Sequence, residues 1–208
     1  MRIAKEGYPI ILLAAVLTLV VFAAVGVKLG LISLLLALGV TAFFRDPERI
    51  PPSGSGLIVS PADGKVVSIS KMDEPDFPAG ATRISIFLSP LDVHINRAPV
   101  AGQVEEIKYE RGKFLAAYKQ EASGGNERNA VRLKDDEARR VNVVQIAGAL
   151  ARRIVCRVKT GDFLARGERF GLIMFGSRTD TYLPGGCKIE VTEGQRVKGG
   201  ETILARFA

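Results

Sequence analysis

Hydrophobic and polar positions divide the chain into two unequal parts. No charged residue occurs over the 20 positions from Tyr8 to Val27, and after Lys28 a second uncharged run covers the 14 positions from Leu31 to Phe44. At about 1.5 Å per residue the first run matches a hydrocarbon core of roughly 30 Å and predicts a transmembrane helix. The second run is short for a full span. It predicts a crossing of a thinned bilayer, a re-entrant segment or an interfacial helix. A cleaved signal peptide competes with this reading, but the first run is long for one and a second apolar run follows it. Residues 1–44 therefore read as a membrane anchor of one or two apolar helices.

The pattern changes after Phe44. Residues 45–56, RDPERIPPSGSG, have the composition of a linker. From residue 57 to 208, short apolar runs alternate with glycine turns. These runs predict strands at Leu57–Ser60, Lys65–Ser70, Arg83–Leu88, Gln103–Tyr109, Ala130–Leu133, Val141–Ile146 and Ile154–Val158. Within the second, Val66, Ser68 and Ser70 alternate with Val67 and Ile69, the period of a half-buried strand. Leu172–Phe175 predicts a further buried strand. Arg111–Gly125 is less regular, with a helical turn expected at Phe114–Gln120, and Gly148–Arg153 is expected to add another short turn. No long amphipathic helix is predicted beyond the anchor.

One internal repeat has a 33-residue offset. VKTGDFLARGE from Val158 matches VTEGQRVKGGE from Val191, each with a glycine turn, an apolar strand position (Leu164 or Val197) and a Gly-Glu turn. Two such hairpins related by a pseudo-twofold predict a mainly β (α+β) domain, a compact barrel or sandwich hybrid of short strands, as in lipoyl-type folds. Two unrelated hairpins sharing turn chemistry would read the same way.

Composition narrows the partners. The 208 residues allow one domain plus an anchor, and the net charge of +7 suits an anionic membrane surface. Aromatic residues are 7% of the chain and the basic residues are scattered, so no nucleic-acid stacking platform is visible. Arg2 and Lys5 precede the apolar segment and Arg45 and Arg49 follow it, with Lys28 alone between. With two spans, this places both flanks and the domain in the cytoplasm. Cys156 and Cys187 have no metal-ligand spacing and read as free thiols.

Four segments carry candidate chemistry. In SPADGK, Asp63 sits in an Asp-Gly pair that is a common hairpin turn, or serves as a carboxylate that orients an imidazole. His94 is the only histidine, a residue suited to proton transfer near neutral pH; Asp92 is a rival orienting carboxylate, and Asn96, Arg97 and Pro99 follow. GGNERN offers Asn126, Glu127 and Arg128, either as a polar loop or as receptors for a polar or phosphate-bearing head group. Gly176-Ser177 is either a turn or a strained pair whose serine acts as a nucleophile. A hydrolase built on Ser177, His94 and Asp63 would lack the Gly-x-Ser-x-Gly elbow. A tethered lipoyl-like module, not an enzyme, would lack the central lysine flanked by methionines.

Taken together, FFRDPERIPP, SPADGKVVSI, FLSPLDVHINRAPVAG, NER and RFGLIMFGSRTDTYLP, running from Phe43 to Pro184, with the tail VTEGQRVKGGETILA, resemble the phosphatidylserine decarboxylase proenzyme family, in its short membrane-anchored branch. The resemblance implies self-cleavage between Gly176 and Ser177 into a β chain (1–176) and an α chain (177–208) that stay associated. It implies a covalent pyruvoyl cofactor derived from Ser177, which forms a Schiff base with the substrate amine. The implied reaction converts phosphatidylserine into phosphatidylethanolamine and CO2, in phospholipid biosynthesis at the inner membrane. His94 and Asp63 match catalytic positions, and Asn126, Arg128 and Arg97 are candidate substrate contacts; no metal is implied. Archaetidylserine carries the same serine head and stays open as the substrate, as does homo-oligomer formation. The chain departs from longer members at two positions: Arg97 stands where they have a second histidine, and Arg178 where they have threonine. His94 is then expected to serve both maturation and decarboxylation, or to share them with a base such as Asp63.

Overall fold

The structure, a computed structural model, describes residues 2–72, 80–113, 125–148, 153–174 and 176–208. The helical turns expected at Phe114–Gln120 and within Gly148–Arg153, and Phe175, lie outside the described residues. The chain forms two compact units, Met1–Glu48 and Arg49–Ala208.

In the first unit, helix α1 (Tyr8–Val25) and helix α2 (Val27–Phe43) form a hairpin, and the flanking strands β1 (Arg2–Ile3) and β2 (Arg45–Asp46) pair antiparallel. The reversal takes one residue, Gly26, at φ 104°, which favours glycine. A Cβ on Gly30 would lie 2.2 Å from the Phe22 ring, so the missing side chain is what lets the helices touch there. The second helix starts earlier than its uncharged run and takes Lys28 into its first turn. Leu12, Leu19, Leu35 and Leu36 are 67–69% exposed, as lipid-facing side chains would be. The segment Lys5–Val25 is long and apolar enough to cross a membrane, and Val27–Phe43 is a shorter apolar helix.

The second unit is mainly β, with an eight-stranded sheet that curls into a half-barrel. Its strands are β3 (Leu57–Val59), β4 (Gly64–Met72), β5 (Ala81–Leu88), β6 (Ile95–Arg97), β7 (Gly102–Glu110), β8 (Arg128–Lys134), β9 (Arg140–Ile146), β10 (Ile154–Cys156), β11 (Phe163–Leu164), β12 (Arg169–Ile173), β13 (Ser177–Leu183), β14 (Lys188–Ile189), β15 (Arg196–Val197) and β16 (Ile203–Arg206). The large sheet has the order β11-β7-β8-β9-β13-β5-β4-β15, and two three-stranded sheets, β10-β12-β6 and β14-β16-β3, accompany it. The order is palindromic. One half consists of β6 to β12, a continuous stretch. The other consists of β3, β4, β5 and then β13 to β16, so the first half is inserted between β5 and β13.

Hydrogen bonds repeat across the two halves. Gly161 N–H donates to Val104 O at 2.9 Å, and Gly194 N–H to Val66 O at 2.8 Å. Gly167 N–H donates to Ala98 O at 2.8 Å, and Gly200 N–H to Ser60 O at 2.7 Å. The β4–β5 and β7–β8 ladders carry matching bulges, after Val66 and after Val104. The 33-residue repeat is therefore the visible part of a larger internal pseudo-twofold, and its two Gly-Glu turns pack together: a Cβ on Gly200 would lie 3.5 Å from Gly167 Cα.

Alternation along the strands places Val66, Ile84, Ile86, Val104, Val131, Leu133, Val141 and Val143 in one core with Phe170, Leu183 and Leu204. The predicted apolar strands appear with ends shifted by a few residues. Strands β6, β14 and β16 were not among the predicted ones, and neither was β13, Ser-Arg-Thr-Asp-Thr-Tyr-Leu. With β9 it forms the centre of the large sheet, paired with β5 on one side and β9 on the other, and it is buried throughout.

Candidate functional site

The halves exchange chain at two crossings, Ser89–His94 between β5 and β6, and residues 174–176 between β12 and β13. Sheet register brings the crossings together. Ser177, at the start of β13, pairs with Leu88, at the end of β5. Ile173, at the end of β12, donates its N–H to His94 O at 3.3 Å. Asp63, just before β4, stands at this same end of the sheet because Lys65 pairs with Phe87. With adjacent strands about 4.8 Å apart, the backbones at Asp63 and Ser177 flank the end of β5 at roughly 10 Å. Three candidates distant in sequence thus lie at the same end of the sheet.

Ser177 is fully buried, and its Oγ has no hydrogen-bond partner among the described residues. A buried hydroxyl left unsatisfied costs stability, and Ser85 Oγ and Thr181 Oγ1 share this state; what sets Ser177 apart is the residue before it. Gly176 precedes it at φ 63°, in the left-handed region, and a Cβ there would meet nothing within 4 Å. The requirement for glycine at 176 is therefore one of backbone conformation rather than of space.

His94 is 2% exposed, and its Nδ1 lies 2.9 Å from Asp92 O. A carbonyl only accepts, so Nδ1 carries the proton and Nε2 carries the lone pair a base needs. Asp92 thus orients the ring through its main chain, whereas its carboxylate takes Ser89 N–H at 2.9 Å and pairs with Arg196. The Asp63 carboxylate accepts Gly199 N–H at 2.7 Å on Oδ1 and Arg49 Nη2 at 2.9 Å on Oδ2. Arg49 also pairs with Glu201 at 2.9 Å.

A buried polar chain reaches β13 at Thr179, two residues beyond Ser177. Asn129 Nδ2 donates to Gln145 Oε1 at 2.9 Å, Gln145 Nε2 to Asn96 Oδ1 at 2.9 Å, and Asn96 Nδ2 to Thr179 Oγ1 at 3.4 Å. It fixes Asn96, two residues from His94, against the strand that Ser177 begins. On the other face of β13, Arg178 and Asp180 form a bidentate pair, with both bonds at 2.8 Å and side chains 3% and 0% exposed. The sequence reading missed Arg49, Asn129, Gln145 and Thr179 as site-forming residues. The signal for Arg49 was its place in the FFRDPERIPP segment, for Asn129 its place in GGNERN and for Thr179 its place in RFGLIMFGSRTDTYLP; Gln145 has none short of the fold.

The candidate substrate contacts have structural partners. Asn126 Nδ2 donates to Ala147 O at 2.8 Å. Arg128 lies at the site end of the sheet, paired with Glu110, whose carboxyl is held below its ordinary pKa by hydrogen bonds from Lys108 and then Arg128. Arg97 is buried, donates to Gly167 O at 3.0 Å and packs against Gly200. It wedges between the two repeat turns. Cys156 and Cys187 are free thiols, and burial pushes the Cys187 thiol above its ordinary value.

Over most of its length the chain is similar to proteins of one family. The family model described as phosphatidylserine decarboxylase matches residues 36–205. A phosphatidylserine decarboxylase proenzyme of Nitrosomonas eutropha is 46% identical over 205 residues, covering 99% of this chain and 95% of its own. One of Gluconobacter oxydans is 53% identical over 169 residues, covering 79% and 75% respectively. One of Nitratidesulfovibrio vulgaris is 47% identical over 205 residues, covering 98% and 94%.

Proposed function

The chain belongs to the phosphatidylserine decarboxylase family, carboxy-lyases, and from that premise we propose that it matures by cutting itself between Gly176 and Ser177 and then converts phosphatidylserine into phosphatidylethanolamine and CO2. The observation that carries this reading is the fully buried Ser177 Oγ, without a hydrogen-bond partner among the described residues, directly after a left-handed Gly176, at the crossing that also holds His94.

In the proposed maturation, Ser177 Oγ attacks the Gly176 carbonyl carbon and the Gly176–Ser177 C–N bond breaks, leaving an ester and a free Ser177 amine. His94 Nε2 takes the hydroxyl proton and returns it to the leaving Ser177 nitrogen as the C–N bond breaks. Loss of the Ser177 α-proton then expels the Gly176 carboxylate and leaves a dehydroalanine at 177. Tautomerisation and addition of water, with release of ammonia, leave a pyruvoyl group on residues 177–208. The site fits that group: it forms from Ser177 itself, and Ser177 sits in a buried strand held on both sides. The group supplies a ketone that condenses with the substrate amine and accepts the electrons freed as CO2 leaves. His94 supplies or removes protons, with Asp63 as the acidic residue of the site. Residues 177–208 stay attached because β13 lies between β5 and β9, while β15 pairs with β4 and β16 with β3.

Arg128 and Asn126, at the site end of the sheet, and Arg97, in β6 after His94, are proposed to bear on the substrate head group. The apolar hairpin anchors the enzyme in the inner membrane, with the decarboxylase domain on the cytoplasmic side where its basic flanks lie. The experiment is an intact mass and a denaturing gel on the purified protein. Maturation gives a 177–208 fragment with an amine-free start. A single uncut chain active on phosphatidylserine would refute the proposal. Parallel assays with ester- and ether-linked serine lipids separate phosphatidylserine from archaetidylserine.

A further inference from the structure

We propose that Arg49 is a positioning residue of the active site: it holds the Asp63 carboxylate and, through Glu201, ties that carboxylate to the 177–208 segment. The inference rests on the self-cleavage reading above. Arg49 Nη2 lies 2.9 Å from Asp63 Oδ2, and Nη1 lies 2.9 Å from Glu201 Oε2. The Arg49 and Asp63 side chains are only 11% and 16% exposed, so solvent screens this pair less than a surface pair. The other Asp63 oxygen accepts Gly199 N–H. Glu201 and Gly199 both lie beyond the cut, so two of the three bonds in this cluster join the two products of cleavage. With both terminal nitrogens engaged by carboxylates, Arg49 acts through Asp63 rather than on a phosphate.

The pseudo-twofold supplies an internal control. Pro61 and Asp63 before β4 correspond to Pro99 and Ala101 before β7, as the matching bonds of Gly200 to Ser60 and Gly167 to Ala98 show. The fold therefore closes the same turn in its other half without a carboxylate. Glu201 likewise corresponds to Glu168. Glu168 caps its own turn, accepting Ala165 N–H at 2.8 Å. In the half that holds Asp63, Thr202 Oγ1 takes over that cap, accepting Lys198 N–H at 2.9 Å, and Glu201 turns to Arg49. The same backbone thus carries different carboxylate chemistry in its two halves, and the difference falls on the side that holds Asp63.

The test uses the full-length enzyme in detergent, with Arg49→Gln, Arg49→Lys, Glu201→Gln and, as the pseudo-symmetric control, Glu168→Gln. Cleavage is followed by intact mass, and kcat and KM are measured on the cut fraction with phosphatidylserine in mixed micelles. A displaced catalytic group costs rate rather than binding, so Arg49→Gln should lower kcat by about 10- to 100-fold with KM changed less than about twofold. Arg49→Lys should restore most of the loss, Glu201→Gln should lower kcat less, and Glu168→Gln should leave it unchanged. Wild-type kcat in Arg49→Gln, a loss confined to KM, or a lysine variant no better than glutamine would overturn the assignment. If Arg49→Gln stays uncut or unfolded, Glu201→Gln decides: reduced kcat on cut enzyme supports the cluster, and wild-type kcat overturns it. A wild-type protein that yields no amine-free fragment refutes self-cleavage itself. Normal wild-type maturation beside an indifferent Arg49→Gln refutes only the role of Arg49.

Discussion

Breaking the Arg178–Asp180 pair tests how β13 holds a polar sequence in the middle of the sheet. Both side chains are desolvated, at 3% and 0% exposure, and their cross-strand neighbours are Phe87 and Ile146 beside Arg178 and Ser85 and Val144 beside Asp180. Asp180→Asn leaves a buried guanidinium without its bidentate carboxylate, which costs about 3–5 kcal/mol. For a domain of this size each 1 kcal/mol moves Tm by about 2–4 °C, so Tm should fall by roughly 6–20 °C. Replacing both residues by apolar ones, Arg178→Met with Asp180→Leu, removes both desolvation penalties and should return stability to within about 1 kcal/mol of the parent. The assay is thermal and denaturant unfolding of full-length protein carrying Ser177→Ala, which keeps one uncut chain. A loss below about 1 kcal/mol in Asp180→Asn, or a double variant as unstable as the single one, would refute the reasoning.

Three further outcomes are expected. Gly176→Ala should fold but cleave slowly: its Cβ has open space, and the left-handed conformation alone costs about 1–2 kcal/mol, or roughly 5- to 30-fold in rate by gel time course. An unchanged rate would show that the φ of 63° does not matter to the cut. His94→Ala should lose about 100- to 10,000-fold in cleavage, in turnover, or in both measured separately; normal values for both would remove His94 from the mechanism. Glu110 should contribute stability that depends on acid. Its folded pKa lies below the ordinary value of 4.5, so its stabilisation is present above pH 4.5 and is lost as pH falls through the folded value; Glu110→Gln should flatten that part of a stability–pH curve.

The two crossings bring the proposed cleavage pair and His94 to one end of the sheet. With half of the domain inserted between β5 and β13, the chain passes between the halves only at Ser89–His94 and at residues 174–176. Leu88 opposite Ser177 then forces these passages side by side. A cut at Gly176–Ser177 therefore severs a connection and not a strand, and it leaves β13 bonded on both edges. The pseudo-symmetric hairpin in the other half, Asp135–Arg139 between β8 and β9, joins those strands directly and closes on its own ion pair, Arg139 with Asp135 at 2.8 Å.

Local chemistry determined much of this protein. The long apolar runs, the alternating strands such as Lys65–Ser70, the glycine turns and the lone histidine depend on residues close in sequence, so hydrophobic period and turn preference expose them. The 33-residue repeat announced the pseudo-twofold because turns need glycine wherever they occur. Tertiary structure alone decided the rest. β13 is polar and yet fully buried, because Arg178 neutralises Asp180 two residues on and Thr179 meets Asn96 across the core; no periodicity can report that second partner, 83 positions away. The backbone carbonyl that orients His94, and the assignment of Arg49 to Asp63 and Glu201, likewise exist only after strand register has brought distant segments together. A sequence specifies which groups a chain carries; which of them share a low-dielectric space, and so partner one another, is set by packing.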